Sequence, residues 1–278
     1  MISIIVPTHN RLELLRKKLE RLESQSGEFE VIVVADGCTD GTLAWLEDYR
    51  PPYPLHILST SGLGSAGARN QGAEVAEGEV ILLSDDDVIL QAGCVEAHAQ
   101  AHSSAQTPTV FVGKLSLPTE LKNSGATSMY GPRAFWWNFT GNNSSISRAL
   151  WRQHGGFDEG YQLYAQVQTG EDLDFGYRLF RAGVRFQFLP QAQAVHEAWG
   201  YKDGRALERA RTHGFSHVQL ARKHGDMRIA WALGVHPALL AVKMALLPSL
   251  KTFMGLEGDL SLAHAWGASQ AWNQSSAS

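Results

Sequence analysis

Cysteine is scarce in this 278-residue chain, which has only Cys38 and Cys94. Two thiols so placed build neither a disulfide framework nor a zinc site, and they read as reduced cysteines of a reducing compartment. An excess of one charge is also lacking. Lys and Arg number 24 against 28 Asp and Glu, a formal charge of -4, which supplies no overall basic field, and no nucleic-acid partner is expected. A long unbroken apolar run is missing too. The longest, "IAWALGVHPALLAVKMALLPSL" (229–250), is interrupted by His236, Pro237 and Lys243; it reads as a buried or membrane-leaning helix pair rather than a spanning helix. The opening "MISIIVPTHN" lacks the basic region and apolar length of a signal peptide, so a first strand and a cytoplasmic location are expected. No G-x-x-x-x-G-K-[ST] is found. "GLGSAG" (62–67) fits a dinucleotide glycine pattern but follows the third strand without the expected acidic partner, which disfavours that ligand. No internal repeat is visible.

What is present alternates. Residues 2–6 (ISIIV) predict a strand. Asn10 as N-cap, Glu13 three positions later, and Leu12, Leu15, Leu19 and Leu22 at helical spacing predict a helix. "FEVIVVAD" (29–36), "LHILST" (55–60) and "EVILLS" (79–84) predict three more strands, with Asp40 capping a helix that turns Leu43 and Leu46 inward, and another helix starting near Ser65. Wholly apolar strands alternating with helices imply a sheet of parallel strands covered on both faces. Ligands of such sheets bind at the carboxyl ends of the strands, which brings Pro7, Thr8, Asp36 and the run Asp85, Asp86, Asp87 to one edge. Past Thr109 the alternation stops at a polar, aromatic stretch. It resumes with a helix in "GEDLDFGYRLFRAG" (170–183), which has Phe175 and Leu179 on one face and Gly183 as its stop. "VRFQFLP" and "AQAVHEAW" predict two short strands, and the chain is mainly helical from Asp203.

Three adjacent carboxylates at a strand end form a solvated loop, a helix cap or a metal site. Their position at the ligand edge favours the last. Oxygen-only donors suit Mg²⁺ or Mn²⁺, which bind through one or two carboxylates plus a substrate's phosphates, so a diphosphate substrate is the natural partner.

At this point the ordered motifs resemble the inverting family 2 glycosyltransferases. The motifs are "IIVPTHNR" (4–11), "VVADGCTDGT" (33–42), "GSAGARNQG" (64–72), "LLSDDDV" (82–88), "TGNNSSISR" (140–148), "GGFDE" (155–159) and "GEDLDFGYRL" (170–179). The resemblance covers roughly residues 2–200. It implies an α/β fold of the GT-A kind, Rossmann-like, with a mixed, mainly parallel central sheet, flanking helices and C-terminal helices. The expected divisions are a nucleotide-sugar half over 1–115, an acceptor and catalytic-base half over 116–202, and a helical extension over 203–278. The implied activity is transfer of a sugar from a nucleoside diphosphate, UDP favoured, to an acceptor hydroxyl, assisted by Mn²⁺ or Mg²⁺. A sugar-nucleotidyltransferase and a non-catalytic nucleotide-sugar-binding module are the alternatives. The first would have an Arg-containing glycine loop after the first strand, which "VPTHNRLELL" lacks.

By the same resemblance Pro7, Thr8, Asn10, Arg11, Asp36, Arg69 and Asp85 face the nucleotide, with Asn70 beside Arg69 and Asp40 supporting the loop. Asp85, Asp86 and Asp87 fit the D-x-D element in more than one register. His196 is either a further metal contact or a packed histidine. Asp172 is the expected general base. Glu171 is a supporting or acceptor contact, and Asp174 serves the start of its helix. Trp136, Trp137 and Trp199 stack on sugar or belong to the core. Asn142 and Arg148 are acceptor-side candidates. Saccharide, lipid-linked and small-molecule acceptors all remain open. Arg205, Arg209, Arg211, Arg222, Lys223 and Arg228 precede the apolar helix pair, where a dimer interface, core packing and peripheral contact of 203–250 with an anionic membrane compete.

Overall fold

The computed structural model describes residues 1–116, 134–160, 169–197, 206–254 and 256–274. They fall into two compact units, 1–159 with 171–199, and 160–170 with 200–278.

The first unit is built on one eight-stranded sheet, of order β3-β2-β1-β4-β7-β6-β8-β5. β1 (Ile2–Thr8), β2 (Phe29–Asp36), β3 (Leu55–Thr60) and β4 (Val80–Leu83) are mutually parallel. All eight residues of β2 and all four of β4 are buried, as strands covered on both faces require. α1 (Leu12–Leu22), α2 (Thr42–Asp48) and α3 (Gly64–Val75) are the crossovers.

Asn10 is not the cap of α1. Its backbone is left-handed, with φ +52, whereas an N-cap needs an extended one. Its Oδ1 instead accepts the Thr39 N–H at 2.7 Å. Asp40 takes over the capping: Oδ2 accepts the Leu12 N–H of α1 at 3.0 Å, and Oδ1 accepts the Thr42 N–H of α2 at 3.2 Å and its hydroxyl at 2.5 Å.

The rest of the sheet is mixed. β5 (Val88–Leu90), α4 (Cys94–Ser104), β6 (Thr109–Ser116), a 3-10 turn (Trp136–Asn138), β7 (Ser144–Ser147), α5 (Arg148–Gln153), α6 (Glu171–Arg181) and β8 (Arg185–His196) follow in turn. β7 runs antiparallel to β4 and β6, β8 parallel to β6, and β5 antiparallel to β8. The Val88 N–H donates to Asp85 O at 3.1 Å, closing a turn between β4 and β5. A turn that short cannot span four flat interstrand spacings of about 4.8 Å each, so the sheet curls. Where two strands were predicted, β8 is one. Its register against β6 jumps from Gly113↔Leu189 to Lys114↔Gln193, and Pro190, which has no N–H to give a ladder, falls in the bulge.

In the second unit α7 (Ala206–His224), α8 (Met227–Ala232), α9 (Pro237–Met254) and α10 (Leu256–Asn273) follow one another. α7 and α10 meet backbone to backbone. A Cβ on Gly214 would come within 1.9 Å of His264 O, and one on Gly267 within 1.9 Å of Arg211 O. The stretch Met227–Ser249 has the length and apolar composition of a membrane-crossing segment, with mean hydropathy 1.6, but the turn at 233–236 divides it into α8 and α9. Along α9, Ala238, Ala241, Val242, Ala245 and Leu246 are all exposed.

Candidate active site

The carboxyl edges of β1, β2 and β4 carry the expected residues, and the antiparallel β7 brings the 140–143 loop that precedes it to the same edge. Thr8 Oγ1 donates to Asp86 Oδ2 at 2.8 Å. Arg11 Nη1 bridges Asp86 Oδ1 and Asp87 Oδ2, 3.1 Å from each. The three aspartates therefore have different surroundings. Asp86 is 3% exposed, and burial raises its carboxyl to about 6 against the pull of Arg11. Burial raises Asp87 too, opposed first by His196. Asp85 lies on the side of Arg69, whose Nη2 is 2.6 Å from Asp85 Oδ1.

Arg69, 6% exposed, joins two parts of the chain, because its Nη1 also donates to Glu171 Oε1 at 3.3 Å. Ser65 Oγ donates to the same oxygen at 2.9 Å. Glu171 Oε2 and Arg69 Nε are buried without a hydrogen-bond partner among the described residues. A Cβ on Gly141 would lie 2.3 Å from Arg69 Nη2, so a side chain there would push the guanidinium off its two carboxylates. Beside Glu171 on the first turn of α6, burial and then the Glu171 charge push the half-buried Asp172 carboxyl up to about 7. Asp174 is fully buried and pairs with Arg178 Nε at 2.8 Å. Arg178 also donates to His154 O and Gly156 O, so Asp174 anchors the helix start to the 154–156 turn.

Asp36 is enclosed by its own loop. Oδ1 accepts from Thr60 Oγ1 and the N–H groups of Gly62 and Leu63, and Oδ2 accepts from the Gly64 N–H at the start of α3. Burial would raise its pKa, but these bonds hold it below the ordinary carboxylate value. Asn70 grips the "GGFDE" segment by both ends of its amide, donating to Phe157 O and accepting from Phe157 N–H, each at 2.9 Å. Pro7 lies within β1, paired with Val34. Asn142, half-buried, donates its N–H to Thr140 Oγ1 at 3.4 Å in the loop that covers Arg69.

Two candidates are not brought to the cluster. Arg148 Nη1 donates to Ala76 O at 2.7 Å and its N–H to Glu79 O. It therefore sits at the amino end of β4, opposite the aspartates, where its guanidinium satisfies a carbonyl just past the end of α3. Trp136 is 5% exposed, edge-on to Trp137 and Tyr177, so it offers no free ring face. Trp137 is half-buried and stacks on the exposed Phe135 at 4.6 Å. Trp199 lies outside the described residues. Ser65, which bonds Glu171, and the buried Lys18, which bonds Ser84 and Val88 on either side of the aspartates, were missed as site residues; nothing in the spacing around them marks them.

His196 Nε2 lies 3.7 Å from Asp87 Oδ1. That exceeds a hydrogen bond and falls between the about 3.0 Å of adjacent and the about 4.2 Å of opposite ligands in an octahedral shell with bonds of about 2.1 Å, so the two side chains meet on one cation after a small adjustment. Among the described residues no three His, Cys, Asp or Glu side chains converge on one point. A carboxylate oxygen with substrate phosphate and water fits Mn²⁺ or Mg²⁺, and the imidazole donor favours Mn²⁺, since Mg²⁺ takes oxygen ligands.

Comparison with known proteins agrees with this architecture. The profile of glycosyl transferase family 2 matches residues 3–159, more than half of the chain, which belongs to that family. The uncharacterized glycosyltransferase YfnE of Bacillus subtilis is 26% identical over 255 residues, 70% of this chain and 64% of YfnE. The chain spans 64% or less of the length of the first curated relatives it matches. Among solved structures, the mannosyltransferase PcManGT of Pyrobaculum calidifontis in complex with GDP-Man and Mn²⁺ superposes with TM-score 0.68 at 20% identity, covering 99% of this chain and 88% of that one. TarS 1-349 of S. aureus in complex with UDP gives TM-score 0.63 at 18% identity, covering 98% and 91%. These neighbours share the GT-A fold: a curled mixed sheet with flanking helices.

Proposed function

We propose that this chain is an inverting glycosyltransferase that moves a sugar from a nucleoside-diphosphate sugar, UDP-linked, to an acceptor hydroxyl. The observation that carries this reading is the Arg69 bridge. It links Asp85 of the aspartate turn to Glu171, so a diphosphate-binding edge and the first turn of α6, where burial raises the neighbouring Asp172 carboxyl, share one crevice. The complexes of the structural neighbours with GDP-Man and Mn²⁺ and with UDP support a nucleotide-sugar donor.

Asp87 and His196 would hold Mn²⁺ or Mg²⁺, with Asp85 and Asp86 beside them. Bound there, a divalent ion offsets the charge that develops on the departing diphosphate. Asp172 removes the proton of the acceptor hydroxyl as that oxygen attacks the anomeric carbon on the face opposite the diphosphate. Burial suits Asp172 to the task, because a base is most effective with a pKa near the working pH. Glu171 Oε2 is an acceptor for an incoming hydroxyl, and Pro7, Thr8, Asn10, Arg11 and Asp36 shape the nucleotide end. The aromatic pair Phe135–Trp137 and Asn142 lie on the acceptor side.

The acceptor is a saccharide, a lipid-linked or a small molecule. Residues 200–278 carry nine Lys and Arg against five Asp and Glu, a formal +4 in a chain of net -4. With the exposed apolar face of α9, this supports peripheral contact of the second unit with an anionic lipid surface on the cytoplasmic side. A panel of nucleotide sugars with Mn²⁺, read as thermal stabilisation and then as transfer to candidate acceptors, tests the function; a chain stabilised by no nucleotide sugar overturns it.

A further inference from the structure

Lys18 is fully buried, on a face of α1 otherwise formed by Leu15, Leu19 and Leu22. An ammonium group in a core is unfavourable unless nearby groups compensate it, and an apolar side chain of similar volume would serve packing at least as well. Its partners are specific. Nζ donates to Ser84 Oγ and to Val88 O, the residues immediately before and after Asp85, Asp86 and Asp87. Lys17, next along α1, pairs with Glu197 Oε2 at 2.7 Å, and the Glu197 N–H donates to Asp87 O at 2.8 Å. Just past the end of α1, Gln25 Nε2 donates to Leu90 O at 3.2 Å. One helix thus holds both ends of the aspartate turn and the strand end that carries His196.

We infer that Lys18 is the positioning residue of the cation and diphosphate site: it ties the β4 end of the aspartate turn to the β5 end, so the three carboxylates are already in place when the donor arrives. The inference rests on reading this turn as the cation site. Lys18 reaches none of the substrate atoms and acts through Ser84 and Val88. Burial lowers its ammonium to about 8, while Cys94, Asp85, Asp87 and Asp86 pull the other way, so it is mainly cationic at neutral pH beneath three acidic groups.

The test uses Lys18→Met and Ser84→Ala in the full chain, with two readouts. Without ligand, amide hydrogen exchange over 84–90 should be at least tenfold faster in Lys18→Met than in wild type, with the β1 and β2 amides unchanged. In calorimetric titration with UDP, the affinity gained from Mn²⁺ over EDTA should fall at least tenfold. Ser84→Ala should be intermediate in both, and it decides alone if Lys18→Met does not fold. Wild-type exchange over 84–90 in the variants overturns the inference, as does a full Mn²⁺ gain in a variant whose exchange has quickened. A wild-type chain that binds UDP equally in EDTA overturns the cation reading instead, and exchange alone then decides the clamp.

Discussion

Arg69 holds one oxygen of Glu171 at 3.3 Å and leaves the other, Oε2, buried without a partner among the described residues. The guanidinium supplies the positive charge, and the Ser65 hydroxyl a neutral hydrogen bond, to that one oxygen of a carboxylate that faces the crevice. Removing it in Arg69→Met strands Glu171 and Asp85, at a cost of about 3–5 kcal/mol, measurable by urea denaturation. Arg69→Lys keeps the charge but cannot span both carboxylates; a smaller stability loss is expected, with UDP binding still weakened.

Asp172→Asn should lower kcat by about 10²–10⁴-fold while leaving the UDP dissociation constant within about twofold, since the substitution touches the acceptor's proton rather than the donor. The wild-type rate should rise with pH through about 7, because the carboxyl raised to about 7 acts only when ionised. Its folded pKa exceeds its unfolded one, so the same group favours the folded state at low pH and loses that contribution as pH climbs through 7. Asp172→Asn should abolish the rise, and a variant with the wild-type profile would exclude Asp172 as the base.

For the cation, Asp87→Asn and His196→Ala should each remove most of the Mn²⁺-dependent gain in UDP affinity. The affinity in EDTA should hardly change, since the two side chains 3.7 Å apart act through the ion. Isothermal titration with and without Mn²⁺ separates the two components.

Much of the first unit was legible because each signal was local. The runs at 2–6, 29–36 and 79–84 were expected as strands and are found as β1, β2 and β4, and Gly183 stops α6 with φ +81, as a glycine after a helix does. What failed was non-local. Asp40 was expected to cap the helix next to it and does so, but it also caps α1 across the sheet edge, which no spacing reveals. Lys18 looks like any helix-surface lysine until β5 folds over it. Arg148 was assigned by motif order alone, and only the antiparallel pairing of β7 with β4 shows that the end of that motif points to the opposite edge of the sheet. Within the site, the aspartates were visible as residues, but Arg69 as their link to Glu171, separated by 102 positions, was not.

Because Asp40 serves two helices, Asp40→Ala should destabilise the chain by about 1–2 kcal/mol although the residue is exposed. Asp40→Asn should recover only part of that loss, because its amide offers one acceptor oxygen where the carboxylate uses both, Oδ2 on Leu12 and Oδ1 on Thr42. Denaturation midpoints of the three proteins give the comparison.

Val242 and Leu246, 55% and 54% exposed, are one helical turn apart on α9. The double substitution Val242→Asp, Leu246→Asp should leave thermal unfolding within a few degrees of wild type yet abolish co-sedimentation with vesicles containing phosphatidylglycerol. Wild-type binding should fall as salt rises. If the wild-type chain ignores such vesicles and sediments as a dimer that the substitutions dissociate, the face belongs to a second copy instead.

The glycine contact between α7 and α10 constrains the second unit in a different way. With Gly214 pressed on His264 O and Gly267 on Arg211 O, the two helices interlock at two reciprocal notches. Sliding either helix by a residue would set a side chain, such as that of Ala268 or Phe215, where only a hydrogen now fits. The pair consequently has a single permitted register, so whatever surface α10 presents is indexed to α7 like a key cut to one depth.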